Sequence, residues 1–467
     1  FAAVTAAADT SLLVLGTAGS GKTTVALHRL ARIAHQQPKE FPLRECGVIV
    51  PEEGLARLAR RLLAPVGAKA EQVQTLDHWA ITLATAVFGR LPPRCSDAPG
   101  VVVSLKRHPA LYMALREQFQ TLKPNQLTWR SLRRRLSELF SDRGFLSNVV
   151  ARSHGGIASS AIEETVRHTM HQLADPVSVQ LAQITDPRMK QALDGQALDV
   201  GSAEELAGTV DVEELPIILF LKAWRDGIAA SHLAHLVIDE AEDMSPFELY
   251  VLGTLLREPI SVTLAGDEAQ QTHSSFRSWD FSLECLGLPS APICRLMTSY
   301  RCPRPVTLLA QRVLGHLASG DAIATAREGA PVGRFQFDVE SQADLFVVES
   351  VMELCRAEPE ASIAIVLCSA EAATRFHALF REPGDARLIL EGDFGFDAGI
   401  DVTHVDSVKG LEFDYVVLPD VSAKHYPETD DARRRLHVAI TRTAHQLWLV
   451  SAGEGSPLVD SCSLGRT

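Results

Sequence analysis

A chain of 467 residues, 46% hydrophobic and 22% charged, has the composition of an ordinary globular protein with room for about three domains. No uninterrupted apolar run approaches the roughly 20 residues of a membrane helix. Pro216–Leu221 is the densest and far too short, so no membrane partner is expected and the cytoplasm is the expected location. Forty-five Lys and Arg against 58 Asp and Glu leave a net charge of −13, which does not advertise a nucleic-acid binder, although one basic track on an acidic body stays open.

The chain opens at Phe1, almost on top of its first strand, and reads as a fragment of something longer. The apolar run Leu12–Leu15 predicts a buried strand, and Val25, Ala26, Leu27, Leu30 and Ile33 predict a helix. Between them lies Gly16-Thr17-Ala18-Gly19-Ser20-Gly21-Lys22-Thr23-Thr24. A strand, a Gly-rich turn and a helix in that order make a phosphate cradle, because glycines let backbone N–H groups approach phosphates and the helix N-terminus adds partial positive charge. Lys22 is placed to reach the β- and γ-phosphates, and Thr23 offers a hydroxyl to Mg²⁺. The chain is therefore read as binding ATP with Mg²⁺.

Gly47–Val50 reads as a short buried strand and Glu53–Leu63 as a helix. After Pro92-Pro93 the character changes, and residues 95–210 read as a polar helical insertion. It carries a basic run of Lys106, Arg107, Arg116, Lys123, Arg130, Arg133, Arg134, Arg135 and Arg143, interleaved with Tyr112, Phe119 and Trp129. Two readings stand side by side: a track for phosphates and stacked bases, or a solvated helical face over core aromatics.

The α/β pattern resumes at His235–Asp239, an apolar strand ending in Asp239-Glu240-Ala-Glu242-Asp243. Hydrolysis needs one carboxylate to hold Mg²⁺ and a neighbour to orient or deprotonate water; Asp239 takes the first role and Glu240 the second. Val262–Gln270 is another strand with a polar end, from which Gln270 would sense the γ-phosphate through the attacking water. Ser299-Tyr300-Arg301, Lys409-Gly410-Leu-Glu412-Phe413 and Val438-Ala-Ile-Thr441-Arg442 follow. Arginines this far along the chain meet the phosphate loop only across a cleft, the arrangement that stabilises transition-state charge and couples it to closure. Ile363–Leu367 and Tyr415–Leu418 are the clearest strands of this second α/β segment. The eight cysteines (46, 95, 285, 294, 302, 355, 368 and 462) include no CxxC pair, so they read as reduced thiols rather than a zinc or disulfide framework.

In this order the motifs resemble those of superfamily 1 helicases of the UvrD/Rep/PcrA group, from about Leu12 to Val450. The resemblance implies two RecA-like P-loop NTPase domains: 1–94 with 211–295, interrupted by the 95–210 insertion, and 296–467. It places Gln270, Arg301 and Arg442 around the γ-phosphate beside the catalytic Glu240, Tyr300 on the adenine, and Gly410 and Glu412 near the ribose. Val25–Arg29, Gly266–Gln270, Ser278-Trp279-Asp280 and Gly410–Asp414 look closer to the HelD branch. The 108 residues from Arg301 to Lys409 leave no room for a 2B subdomain, which that branch lacks. The chain departs from the pattern at Glu242, where the family has Gln, and at His404 and Asp406, where it has a DNA-contacting Thr and His. The expectation is an ATP-driven motor on single-stranded DNA, monomeric, with Thr75, His78, Trp79, Phe276, Arg277 and Ser407 along the strand; Trp79 reads equally as a core residue. The alternative is a HelD-like ATPase that remodels or releases RNA polymerase.

Overall fold

In the computed structural model, residues 2–95, 98–121, 127–174, 206–229, 232–271, 274–318, 324–382, 384–390, 392–395 and 397–460 are described. Lys123 and Cys462 lie outside them. Two six-stranded sheets carry the fold. The first takes β1 (Leu12–Gly16), β2 (Cys46–Val50), β3 (Val73–Thr75), β6 (His235–Ile238), β7 (Val262–Gly266) and β8 (Ile293–Leu296), after the short β4 (Arg94–Cys95) and β5 (Val210–Asp211) pair with each other. Its order is β3-β2-β6-β7-β1-β8, every pair parallel, with Val14 opposite Ala265 and Val237 opposite Thr263. Such strands are covered on both faces, which is why they read as continuous apolar runs rather than alternating ones.

The second sheet follows β9 (Thr298–Ser299) and β10 (Ala324–Thr325). It contains β11 (Gly333–Phe337), β12 (Ser362–Leu367), β13 (Arg387–Leu388), β14 (Gly399–His404), β15 (Phe413–Leu418) and β16 (Thr443–Ala452), ordered β11-β16-β15-β12-β14-β13 and again all parallel. Two parallel α/β sheets, the first entered through a phosphate loop, are the two RecA-like domains. No helix among the described residues is long and apolar enough to cross a membrane; Pro216–Leu221 lies in the buried helix Glu214–Asp226.

The helices between β4 and β5 share one core with the first sheet: Leu105, Leu111, Leu132 and Phe140 belong to the same cluster as Leu13, Ile49 and Leu236. This removes Lys106, Arg107 and Arg133 from the phosphate-track reading, whereas Arg116, Arg130, Arg134, Arg135 and Arg143 are exposed. Lys106 is fully buried, its ammonium held by Asp211 and by Glu214 at 2.5 Å. Arg133 also pairs with Glu214, and Arg107 with Glu248 at 2.9 Å. Arg143 is exposed but paired to Glu163 at 2.7 Å, while Tyr112 and Phe119 are core residues. Taken in sequence the cations look solvated; the acids of Lys106, Arg107 and Arg133 arrive from 81 to 141 residues away.

A polar chain crosses the first sheet. Arg29, fully buried, donates to the carbonyls of Ala6, Ala7 and Thr10 and to Thr263 Oγ1. Thr263 Oγ1 meets His235 Nε2 at 3.1 Å, and His235 Nδ1 meets Ser261 Oγ at 2.7 Å. Burial, then Arg29, lowers the His235 pKa to about 3, so the ring is neutral in the fold.

Candidate active site

The site forms where the carboxyl ends of first-sheet strands face segments of the second sheet, around a cleft of about 550 Å³. The loop after β1 turns through Gly19 (φ 70°) and Gly21 (φ 86°), left-handed conformations that suit glycine. Gly19 also lies against Arg301, leaving no room for a side chain. Ser299 Oγ donates to the Ala18 carbonyl at 3.1 Å and Tyr300 N–H to the Gly19 carbonyl at 2.9 Å, so Tyr300 and Arg301 ride on the phosphate loop.

Lys22 opens the helix Lys22–Gln36, and its ammonium rests 3.2 Å from the Thr17 carbonyl and 3.9 Å from Asp267. Thr23 Oγ1 donates to Asp239 Oδ2 at 2.6 Å across 216 residues of sequence. Asp239 Oδ1, Glu240 Oε2, Thr17 Oγ1 and Ser20 Oγ are buried with no hydrogen-bond partner among the described residues. Orphaned hard oxygens and a converging hydroxyl fit a nucleotide with a divalent cation. Glu240 has φ 49°, a strained value for a side-chain-bearing residue, which turns its carboxylate back into the cleft.

From the second sheet, Arg442 Nη2 donates to Gln270 Oε1 at 2.5 Å, and Gln270 Nε2 donates to Asp267 Oδ2 at 2.7 Å. Arg301 Nε donates to Glu412 Oε2 at 2.7 Å and its Nη1 to the Leu411 carbonyl at 3.2 Å. Arg442 is buried, whereas Tyr300 is 64% exposed on the rim. Gly410 and Glu412 line the same cleft as Lys22, Thr24 and Glu240.

Lys409 supplies a contact that the motif wording alone did not reveal. Its buried ammonium lies 2.6 Å from Asp243, 3.0 Å from Glu242 and 3.7 Å from Glu240. Burial alone would lower its pKa, but the three acids outweigh this and hold it raised and charged. Burial would also raise Glu240, yet Lys409 and a hydrogen bond from Glu242 keep its carboxyl below the usual range. Asp239 shifts the other way, through burial and then through Glu240. Burial pushes the Glu242 carboxyl above its ordinary value against the pull of Lys409, with Glu240 and Asp243 adding to the rise.

The residues read as a DNA track are scattered. Thr75 caps the helix Leu76–Phe88, accepting from His78 N–H at 3.3 Å, and His78 is exposed. Trp79 is 6% exposed and belongs to the core, the second of its two readings. Phe276 meets Trp279 edge-on at 4.7 Å, and exposed Arg277 covers Phe281. The Ser407 hydroxyl is buried, donating to the Leu390 carbonyl at 2.8 Å. Asp406 is clamped by Arg435 at 2.8 and 3.2 Å. Near it, burial together with Asp77, Asp243 and Asp406 pushes the Glu52 carboxyl up to about 7. The signal for this gathering of carboxylates was present in Pro51-Glu52-Glu53, at the carboxyl end of β2.

Residues 1–277 match the AAA domain, and residues 399–450 match the UvrD-like helicase C-terminal domain. Among solved structures, the chain is similar to the C-terminal domain of a possible DNA helicase from Lactobacillus plantarum WCFS1. That match is 23% identical over 34% of this chain and 92% of the other, at a TM-score of 0.29. No curated protein matches.

Proposed function

Because the chain belongs to the AAA-domain family and carries a UvrD-like helicase C-terminal domain, we propose that it is an ATP-hydrolysing motor of the UvrD-type superfamily 1 whose cleft closes on ATP and relaxes on ADP. The observation that carries this reading is the side-chain run Lys22, Asp267, Gln270, Arg442, which joins the phosphate loop to the second sheet. Segments 1–94 and 211–295 form the first RecA-like unit around the 95–210 insertion, and 296–467 form the second.

ATP enters with its phosphates on Gly16–Thr24, where Lys22 exchanges its loop carbonyl for phosphate oxygens. Thr23 and Asp239 would hold Mg²⁺, which neutralises charge on the β- and γ-oxygens. Glu240, kept ionised by Lys409, takes the proton of the attacking water. Gln270 orients that water, and Arg301 and Arg442 stabilise the charge that develops. Tyr300 stacks on the base from the rim, with Gly410 and Glu412 beside the sugar. Hydrolysis weakens the ties of both arginines, and the sheets separate.

Single-stranded DNA is the proposed track, supported by the helicase family and by the exposure of His78 and Arg277. A second reading has its own support. Glu52 lies within electrostatic reach of Asp77, Asp243 and Asp406, a gathering of carboxylates that disfavours a phosphate backbone and favours a HelD-like cycle that remodels a protein partner such as RNA polymerase. Steady-state ATPase with and without single-stranded DNA, at low and moderate salt, separates them. Salt-sensitive stimulation supports the DNA track; turnover indifferent to DNA supports the protein partner; no turnover at all removes the motor.

A further inference from the structure

At the opposite end of the second unit's chemistry, Cys368, Asp420 and His425 converge although 52 residues separate the first two in sequence. Their ligand atoms all lie within 4.8 Å of one another. Cys368 follows β12 and Asp420 follows β15, neighbouring parallel strands. From β12 the chain continues to β13 and β14 on one side of the sheet; from β15 it continues to β16 on the other. Open α/β sheets bind ligands in the crevice beyond the carboxyl ends of strands where the winding reverses in this way. A cavity of about 570 Å³ opens here, lined by Asp344, Arg375, Asp420, Lys424 and His425.

Local contacts leave this trio ready to take a cation. Asp420 Oδ2 accepts from the Cys368 N–H at 3.2 Å, and Asp420 Oδ1 is buried with no hydrogen-bond partner among the described residues. His425 Nδ1 stands 3.7 Å from Asp420 Oδ2 and 3.2 Å from Ser422 Oγ. Among the described residues no lysine or arginine forms an ion pair with Asp420; Arg435 binds the Cys368 carbonyl and Asp406 instead. A second trio, Cys95, His168 and Asp211, makes the contrast. There the Lys106 ammonium and the Gln172 amide already occupy both oxygens of Asp211, so the cation's place is filled.

We propose that Cys368, Asp420 and His425 form a three-ligand zinc site whose fourth position opens to the adjoining cavity. One thiolate, one imidazole and one carboxylate suit a borderline-soft dication and not Mg²⁺. An open fourth position takes water or an anionic oxygen of a bound molecule. On binding, the Cys368 S–H bond breaks, a zinc–sulfur bond forms, and the proton leaves to solvent with no change of oxidation state. Zinc here would tie the loop after β15 to the end of β12.

The test uses the full chain, cleared of metal with a chelator and titrated with Co²⁺. One equivalent is expected to give a near-ultraviolet cobalt–thiolate charge-transfer band, removed by one equivalent of Zn²⁺ and unmoved by excess Mg²⁺. Cys368→Ser should abolish the band and weaken Zn²⁺ binding by more than about tenfold, while Cys95→Ser leaves both unchanged. Asp420→Asn, which keeps the shape, should weaken binding without removing the sulfur band, and it serves if the serine variant does not fold. Absence of a thiolate band, or a band that survives Cys368→Ser, overturns the proposal.

Discussion

Arg442 Nη2 donates to Gln270 Oε1 at 2.5 Å, joining residues 172 positions apart across the cleft between the two sheets. Gln270 in turn holds Asp267, which faces Lys22. Lys22, Asp267 and Gln270 thus link the phosphate loop to Arg442 through side chains alone.

Replacing Arg442 by Ala is expected to lower kcat for ATP by about 10³-fold or more, the scale of an arginine that stabilises phosphoryl transfer. Arg442→Lys keeps the charge but loses the planar fork and should recover little. Steady-state kinetics check this: an unchanged kcat in Arg442→Ala would place the hydrolytic charge elsewhere. Gln270→Glu should also cut kcat, because it adds a carboxylate beside Asp267.

Lys106→Met is expected to destabilise the fold by about 3–5 kcal/mol, since buried Asp211 would lose its lysine and Glu214 would keep only Arg133. Denaturant unfolding measures it. Lys106 is fully buried, so the salt dependence of any nucleic-acid binding should stay as in the parent protein. A reduced salt slope with unchanged stability would restore the phosphate-track reading.

Lys409→Met should likewise destabilise by a few kcal/mol, because Glu240, Glu242 and Asp243 lose their common counter-ion. Glu242→Gln removes one of those acids and matches the residue usual at that position. The double variant is expected to be more stable than the sum of the single effects, and a double-mutant cycle reads that coupling. Strict additivity would mean the two side chains act independently.

His235 makes stability depend on pH. Its ring is neutral in the fold with a pKa of about 3, whereas the unfolded chain takes up a proton near 6.5. The unfolded state binds more protons between these values, so the contribution is fully present above 6.5 and is lost as pH falls toward 3. The slope reaches about 1.4 kcal/mol per pH unit. Thermal melts from pH 7 to pH 4 should show a shallower decline for His235→Gln than for the parent; identical slopes would assign the effect to other groups.

Much of this protein is legible in the sequence by itself, because some physics is local. The strand-turn-helix around Gly16–Thr24 needs only neighbouring residues, and so do the buried strands ending at Asp239 and Gly266. Apolar runs of parallel-strand length, ended by polar residues, can be read without knowing their partners. Pairing between distant charges is different. Lys106 looks like a surface cation until Asp211 and Glu214 arrive from more than 100 residues away. Lys409 looks like a word in a motif until it closes on Glu242 and Asp243, more than 160 residues upstream. Cysteine spacing along the chain argues against zinc, yet reversal of winding between β12 and β15 sets Cys368 beside Asp420 and His425. Backbone conformation and burial propensity are properties of short segments, so the sequence determined the elements and the nucleotide loop. Electrostatic partnership depends on which strand ends the sheet order brings together, so only the tertiary structure decided which charges are buried in pairs and which remain open to a ligand.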